Sequence, residues 1–321
     1  MNSPLFPLQD QLKGFSRALF TTWLYHKRFN ILFDCGEGVA TSLQNRVFGI
    51  RRIFLSHGHA DHIAGLVNLL NIRNLGAGDQ TAPLQIYYPK ENKLLEYMID
   101  YLTKTQKDLS FPLIWVPLEP GETLHLEDQK GYIYIRTFET KHSQRQLSLG
   151  YNIIETRRRL KPEYVNMKQS ELNQIIWEKG KDEIAEDYQK IIFSYGGDSR
   201  PICPDDIKDS LYLCHEATYL SKEDDERNFQ QHSFLEEVLI NANEASVETL
   251  LLMHTSLRYS LQEIYDEINI LKNKLNLSYK ILLLFGDIFI DTDVSLVARK
   301  KAHKSRQNIE ELKINSEESN V

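Results

Sequence analysis

Within Ser56-His57-Gly58-His59-Ala60-Asp61-His62, imidazoles and a carboxylate crowd into one short stretch. Packed together without a cation, such groups would be costly. A divalent metal organises them, because neutral imidazole and carboxylate both suit zinc. The residues before, Arg52-Ile53-Phe54-Leu55, read as a short buried strand, and Ile63 to Leu70 carry a helical apolar pattern. In an extended segment His57 and His59 point the same way and can share one ion. The turn that follows swings Asp61 and His62 toward a second. The alternative is a polar loop of surface histidines, which the density of this cluster at a strand-to-helix junction disfavours.

Other chemistry-bearing side chains recur where apolar runs end. Asp34 follows Phe29-Asn30-Ile31-Leu32-Phe33, in front of a glycine turn. It is expected to cap the next helix, to accept a hydrogen bond from a metal-bound histidine, or both. His142 ends one predicted strand and is the expected third nitrogen ligand for the first ion. Gly196-Gly197 lets the chain turn sharply and present Asp198, a carboxylate able to bridge two metals. His215-Glu216 and His254 end two further strands. Open sheets place their sites at such ends. His26, between predicted strands 18–25 and 29–33, reads as a surface turn residue, and His125 as a solvated loop residue. The 90–106 segment reads as a packing helix, and Ser260 with Glu263 as a capping box.

The chain has 321 residues and a formal net charge of −7, which argues against a generally basic nucleic-acid binder. No apolar run reaches membrane-spanning length, and the N-terminus lacks a secretory apolar core. Three scattered cysteines suggest reduced thiols, so a cytoplasmic protein without membrane contact is expected. Residues 1–298 are expected to form one domain and 299–321 a charged tail. About 156–190 reads as an inserted arm, with Arg157, Arg158 and Arg159 opening it and a helix near 168–179. Guanidinium groups suit phosphate, so the arm is either a solvated excursion or a clamp on a phosphate backbone.

Taken together these pieces resemble ribonuclease Z, a branch of the metallo-β-lactamase superfamily. The resemblance rests on Phe33-Asp34-Cys35-Gly36-Glu37-Gly38, the histidine cluster, His142 with Gly150-Tyr151 and Gly197-Asp198-Ser199-Arg200-Pro201. It rests further on His215-Glu216-Ala217-Thr218-Tyr219, His232-Ser233 and His254-Thr255-Ser256-Leu257-Arg258-Tyr259. It implies an α/β chain in a four-layer αββα sandwich. It implies two Zn2+ per chain, with Mn2+ or Fe2+ as substitutes: one held by His57, His59 and His142, the other by Asp61, His62 and His254, with Asp198 bridging. Asp61 would also orient the attacking hydroxide. His232, oriented by Glu216, would protonate the leaving oxygen, and His215 would be structural. The implied activity is removal of the 3′ trailer from precursor tRNA by a homodimer, with Arg258 joining the arm arginines as a substrate contact. Hydrolysis of a small phosphodiester or other ester is the competing reading. Two family features are not evident: an opening strand with a Gly-Thr-Gly turn before Phe20, and the long glycine- and proline-rich arm.

Overall fold

The computed structural model describes residues 8–76, 82–129, 132–143, 145–224 and 231–296. The proposed 299–321 tail lies outside them. Two sheets stack face to face. The first carries β1 (Leu12–Arg17), β2 (Thr21–His26), β3 (Ile31–Phe33), β4 (Arg52–Phe54), β5 (Leu84–Pro89) and β6 (Leu113–Leu118), in that spatial order. The second carries β7 (Thr123–His125), β8 (Ile133–Thr140), β9 (Ser148–Leu160), β10 (Ala185–Tyr195), β11 (Tyr212–Glu216), β12 (Thr249–Met253), β13 (Lys280–Phe285) and β14 (Ile288–Asp291), also in unbroken order. Strands β3 to β6 are mutually parallel, as are β10 to β13.

Three apolar clusters hold the layers together. Phe33, Phe54, Tyr151, Phe193 and Tyr195 fill the space between the sheets. The Leu66–Gly76 and Lys93–Thr105 helices cover the outer face of the first sheet through Leu66, Leu69, Leu95 and Leu102. The Leu235–Glu244 and Leu261–Lys274 helices cover the second through Val238, Leu239, Ile264 and Ile268. This is the expected αββα order. Among the described residues no helix is long and apolar enough to cross a membrane.

The Ser260–Glu263 capping box is present. Elsewhere the reading needs correction. Strand β1, paired antiparallel with β2, lies ahead of Phe20, where no opening strand was evident. Its sequence, Leu-Lys-Gly-Phe-Ser-Arg, hides it: the inward positions include Gly14 and Ser16, so burial alternates where hydrophobicity does not. Residues 18–20, assigned to a strand, form the turn of this hairpin. His26 is no turn residue; it ends β2, buried against Phe29 and Phe193. Burial, aided by Arg28, lowers its pKa to about 3, so it is a neutral packing residue. The Lys93–Thr105 helix does more than pack inward, since Leu94, Tyr97 and Tyr101 are exposed.

The arm is also more regular than a loop. Strands β9 and β10 continue as an antiparallel ribbon, Thr156 opposite Gln189 and Leu160 opposite Ala185, and the Gln169–Lys179 helix lies in the connection between them. The basic run is thus strand backbone.

Gly65 joins the first turns after the histidine cluster to the following helix. A Cβ there would sit 2.1 Å from the Gly36 carbonyl oxygen. That is backbone against backbone, with no side chain to yield. Gly65→Ala should therefore cost about 1–3 kcal/mol, seen as a lower urea midpoint. An unchanged midpoint would show that the two loops do not press together as described.

Candidate metal centre

Strand ends of both sheets deliver the candidate side chains to one place. Asp34 follows β3, His57 and His59 follow β4, His142 follows β8, Asp198 follows β10, Glu216 ends β11 and His254 follows β12. Asp34 and His254 both adopt left-handed backbone, φ 54° and 55°. Asp and His accept that region more readily than branched residues, and a short reversal there fits residues whose side chains serve a site.

The ligand atoms of His57, His59 and His142 all lie within 4.8 Å of one another, and so do those of Asp61, His62 and His254. Asp198 stands between the groups. Its Oδ2 is 3.2 Å from His254 Nε2, 3.3 Å from His62 Nε2 and 3.9 Å from His57 Nε2. Asp61 Oδ2 is 3.3 Å from His254 Nε2. His142 Nε2 and His59 Nδ1 approach to 3.1 Å.

The outer nitrogens of these rings are already engaged. Asp34 accepts from Ser56 N at 2.7 Å, Ser56 Oγ at 2.8 Å, His62 Nδ1 at 2.7 Å and the Tyr195 hydroxyl at 2.7 Å. Because Ser56 Oγ gives its proton to Asp34, it accepts from His57 Nδ1 at 3.0 Å. His142 Nδ1 donates to the Gln231 carbonyl at 3.0 Å. Thr218 Oγ1 donates to Glu216 Oε2 at 2.5 Å and accepts from His254 Nδ1 at 3.0 Å. Each of these four rings thus turns a bare Nε2 inward, the tautomer a metal requires.

Whether a cation fits is tested by what is left unsatisfied. His57 Nε2, His62 Nε2 and Asp198 Oδ1 are buried without a hydrogen-bond partner. Asp34, Asp198 and Glu216 are buried, and Asp61 largely so; among the described residues their ion-pair partners are histidines, with no Lys or Arg. Four carboxylates balanced, among the described residues, by imidazoles alone favour divalent cations, and the donor set of nitrogen with a few oxygens is one that zinc, manganese or iron accepts.

Electrostatics point the same way. Burial, then His62 and His142, push the His57 pKa well below the ordinary imidazole value. Burial likewise lowers His59 and His142. Burial also opposes charge on His62, but Asp198 and Asp34 outweigh it and raise its pKa well above normal. A proton there occupies the place of a cation between two carboxylates. Burial would raise Asp198, yet His254 and His62 hold it well below the usual carboxylate range.

His232 lies beside this centre. Its Nδ1 is 2.8 Å from Glu216 Oε1 and 4.0 Å from Asp198 Oδ2, and its ring stacks over His254 at 5.5 Å. Arg200 holds its loop by donating to the His232 carbonyl at 2.7 Å. His215 is buried and donates Nδ1 to the Glu216 carbonyl, apart from the cluster's contacts. The arginines are occupied otherwise. Arg157 pairs with Glu155, Arg158 with Asp182, Arg159 with Glu186, and Arg258 Nη1 donates to the Asp224 carbonyl. None of these contacts joins them to the histidine centre. Sequence reasoning missed Ser56, Thr218 and Tyr195 as orienting groups. Their hydroxyls gain that role only from partners delivered by the fold, 161 residues away for Tyr195 and Asp34.

A family model described as a beta-lactamase superfamily domain matches residues 29–161. The human short-form tRNase Z structure aligns with a TM-score of 0.58 at 19% identity, covering 88% of this chain and 99% of that one. This is the metallo-β-lactamase fold. The Bacillus subtilis metallo-beta-lactamase fold protein YhfI gives 0.58 at 17% identity, covering 87% and 98%. In sequence, a protein named Ribonuclease Z from Staphylococcus aureus strain JH9 is 28% identical over 263 residues, 75% of this chain and 82% of the relative. The metallo-β-lactamase fold accounts for the strand-end site: it is where both sheets open on one edge.

Two outcomes follow. Asp34→Asn removes an acceptor from the hub behind His57 and His62, so if the site holds a divalent cation, affinity for added zinc as a probe, measured by chelator competition, should fall ~10–100-fold. Unchanged affinity would mean those rings need no orientation. The second concerns pH. Burial pulls the His232 pKa down, but Glu216 outweighs it and raises it from 6.5 to about 9. In metal-free protein this ion pair stabilises the fold below the unfolded value of 6.5 and is lost as pH rises through about 9. Relative to His232→Gln, wild-type apoprotein should lose stability across that window in urea titrations. Parallel pH profiles would contradict the pairing.

Proposed function

We propose that this chain is a zinc-dependent phosphodiesterase, an endoribonuclease of the ribonuclease Z type that removes the 3′ trailer from precursor tRNA. The observation that carries the proposal is the pair of donor groups sharing Asp198, with the His232–Glu216 pair alongside. The likeness to a Staphylococcus aureus protein named Ribonuclease Z, and the fold shared with human tRNase Z, support the RNA substrate. Homodimer assembly belongs to the same proposal.

His57, His59 and His142 would hold one ion; Asp61, His62 and His254 the other; Asp198 would touch both. When bound, such a pair supplies an acidified water and positive charge for phosphoryl oxygens. The remaining work falls to the protein. Asp61 is anchored through one oxygen to His254 and is partly open, so it can accept a hydrogen bond and orient the attacking water. His232 donates Nδ1 to Glu216, which leaves Nε2 to deliver a proton to the leaving oxygen. Burial would raise the Glu216 pKa, but His232 holds it down, so the orienting group stays ionised.

One observation favours the competing reading, a small phosphodiester or other ester as substrate. The arm arginines pair with nearby carboxylates, Glu155, Asp182 and Glu186, which weakens a purely electrostatic grip on RNA. Zinc-loaded protein incubated with a precursor tRNA should release the trailer by a single cut at its boundary. His232→Ala should slow that cut by about 10²–10⁴-fold with zinc content intact. Turnover confined to a small chromogenic diester would replace the tRNA reading with the competing one.

A further inference from the structure

Beside the centre lies a cleft of about 430 Å³, within the range of small-ligand sites. Its lining includes Phe15, Arg17, Phe20 and Thr21 from the β1–β2 hairpin, Glu37 from the loop after β3, and Leu257 from the loop after β12. Phe20 and Leu257 are exposed, at 62% and 45%. Phe20 thus presents an aromatic face to solvent at the hairpin tip.

The cleft and the centre share walls. Arg17 Nη1 donates to Thr255 Oγ1 at 3.1 Å, and Ala18 N donates to the Thr255 carbonyl at 3.3 Å, one residue beyond His254. Ser16 Oγ accepts from His254 N at 2.9 Å. On the other side Gly36 is wedged so tightly that a Cβ would lie 2.1 Å from Thr21 Oγ1 and 2.3 Å from the Asp61 carbonyl oxygen. Through Ser16, Thr255 and Gly36 the walls of the cleft are thus continuous with the backbone that carries His254 and Asp61.

Charge narrows what the cleft accepts. The guanidinium of Arg17 bonds Thr255 through Nη1 and lies 4.2 Å over the Phe285 ring, which fixes it in the wall. Glu37 adds a carboxylate to the lining, which repels a phosphate. What the walls favour is neutral and flat. Resting on the phosphodiesterase reading above, we propose that this cleft is a nucleobase subsite, in which the base flanking the scissile phosphate stacks on Phe20 against Leu257. Phe20 is then a specificity-determining residue, selecting nucleotidyl substrates over phosphoesters that lack a base.

The test compares adenosine 5′-monophosphate with ribose 5-phosphate by calorimetric titration of zinc-loaded full-length protein. Wild type should bind the nucleotide about five- to a hundredfold more tightly, the range for stacking a base on an aromatic side chain. Phe20→Ala should bring that ratio near one while leaving ribose 5-phosphate affinity unchanged, and Phe20→Trp should restore it. A wild-type ratio near one, absent nucleotide binding, or a ratio that survives Phe20→Ala would overturn the subsite. Because the readout is binding, a protein that prefers the nucleotide but leaves precursor tRNA uncut would overturn the substrate reading and support the subsite.

Discussion

Four carboxylates, Asp34, Asp61, Asp198 and Glu216, meet at one edge of the two sheets, and among the described residues their ion-pair partners are histidines, with neither Lys nor Arg. Buried negative charge of that density is unfavourable unless something positive shares the space. A proton on His62 is a partial remedy, and its elevated pKa shows how strongly the site calls for one. Divalent cations are the fuller remedy. They also explain why Nε2 of His57 and of His62 is buried without a hydrogen-bond partner among the described residues, with Asp198 Oδ2 close by. The other features of the edge follow from this demand: left-handed backbone at Asp34 and His254, glycines pressed against neighbouring carbonyls, and hydroxyls placed to hold imidazole protons on the outer nitrogen.

The orienting groups form two networks, one behind each half of the centre. Asp34 gathers Ser56, His62 and Tyr195, and through Ser56 it also sets His57. Glu216 holds His232 directly and His254 through Thr218. The first network lies at the inner ends of β3, β4 and β10, so it links the two sheets. The second links a metal-facing ring to the proposed acid. A change at Glu216 therefore acts on both at once, and their separate contributions are not additive.

Much of this was legible in the chain because it is local. His57 to His62 sit within one turn of each other, Asp34 precedes a glycine turn, and Gly197 announces Asp198; residue type and strand-end position were enough. The helix cap at Ser260 is legible for the same reason. What escaped reading depends on partners far away in sequence. His26 looks like a turn residue until Phe193 packs on it. Strand β1 shows only through pairing with β2, since Gly14 and Ser16 blur its alternation. The arginine run reads equally as a solvated excursion or a phosphate clamp, and its pairing with Asp182 and Glu186 shows only in the fold. The Phe20 cleft was invisible because its walls come from three separate loops.

The centre, the cleft and the arm assign different tasks to different physics. In the reading proposed above, fixed charge would activate and stabilise and an apolar wall would select, while the arginines of the arm are paired with carboxylates. The first of these underlies the others. It is tested most directly by anomalous scattering at the zinc edge from crystals of zinc-soaked protein. The account predicts two peaks about 3.5–4 Å apart, one among His57, His59 and His142, the other among Asp61, His62 and His254, with Asp198 touching both. Peaks elsewhere on the surface, with these side chains free of ions, would contradict it.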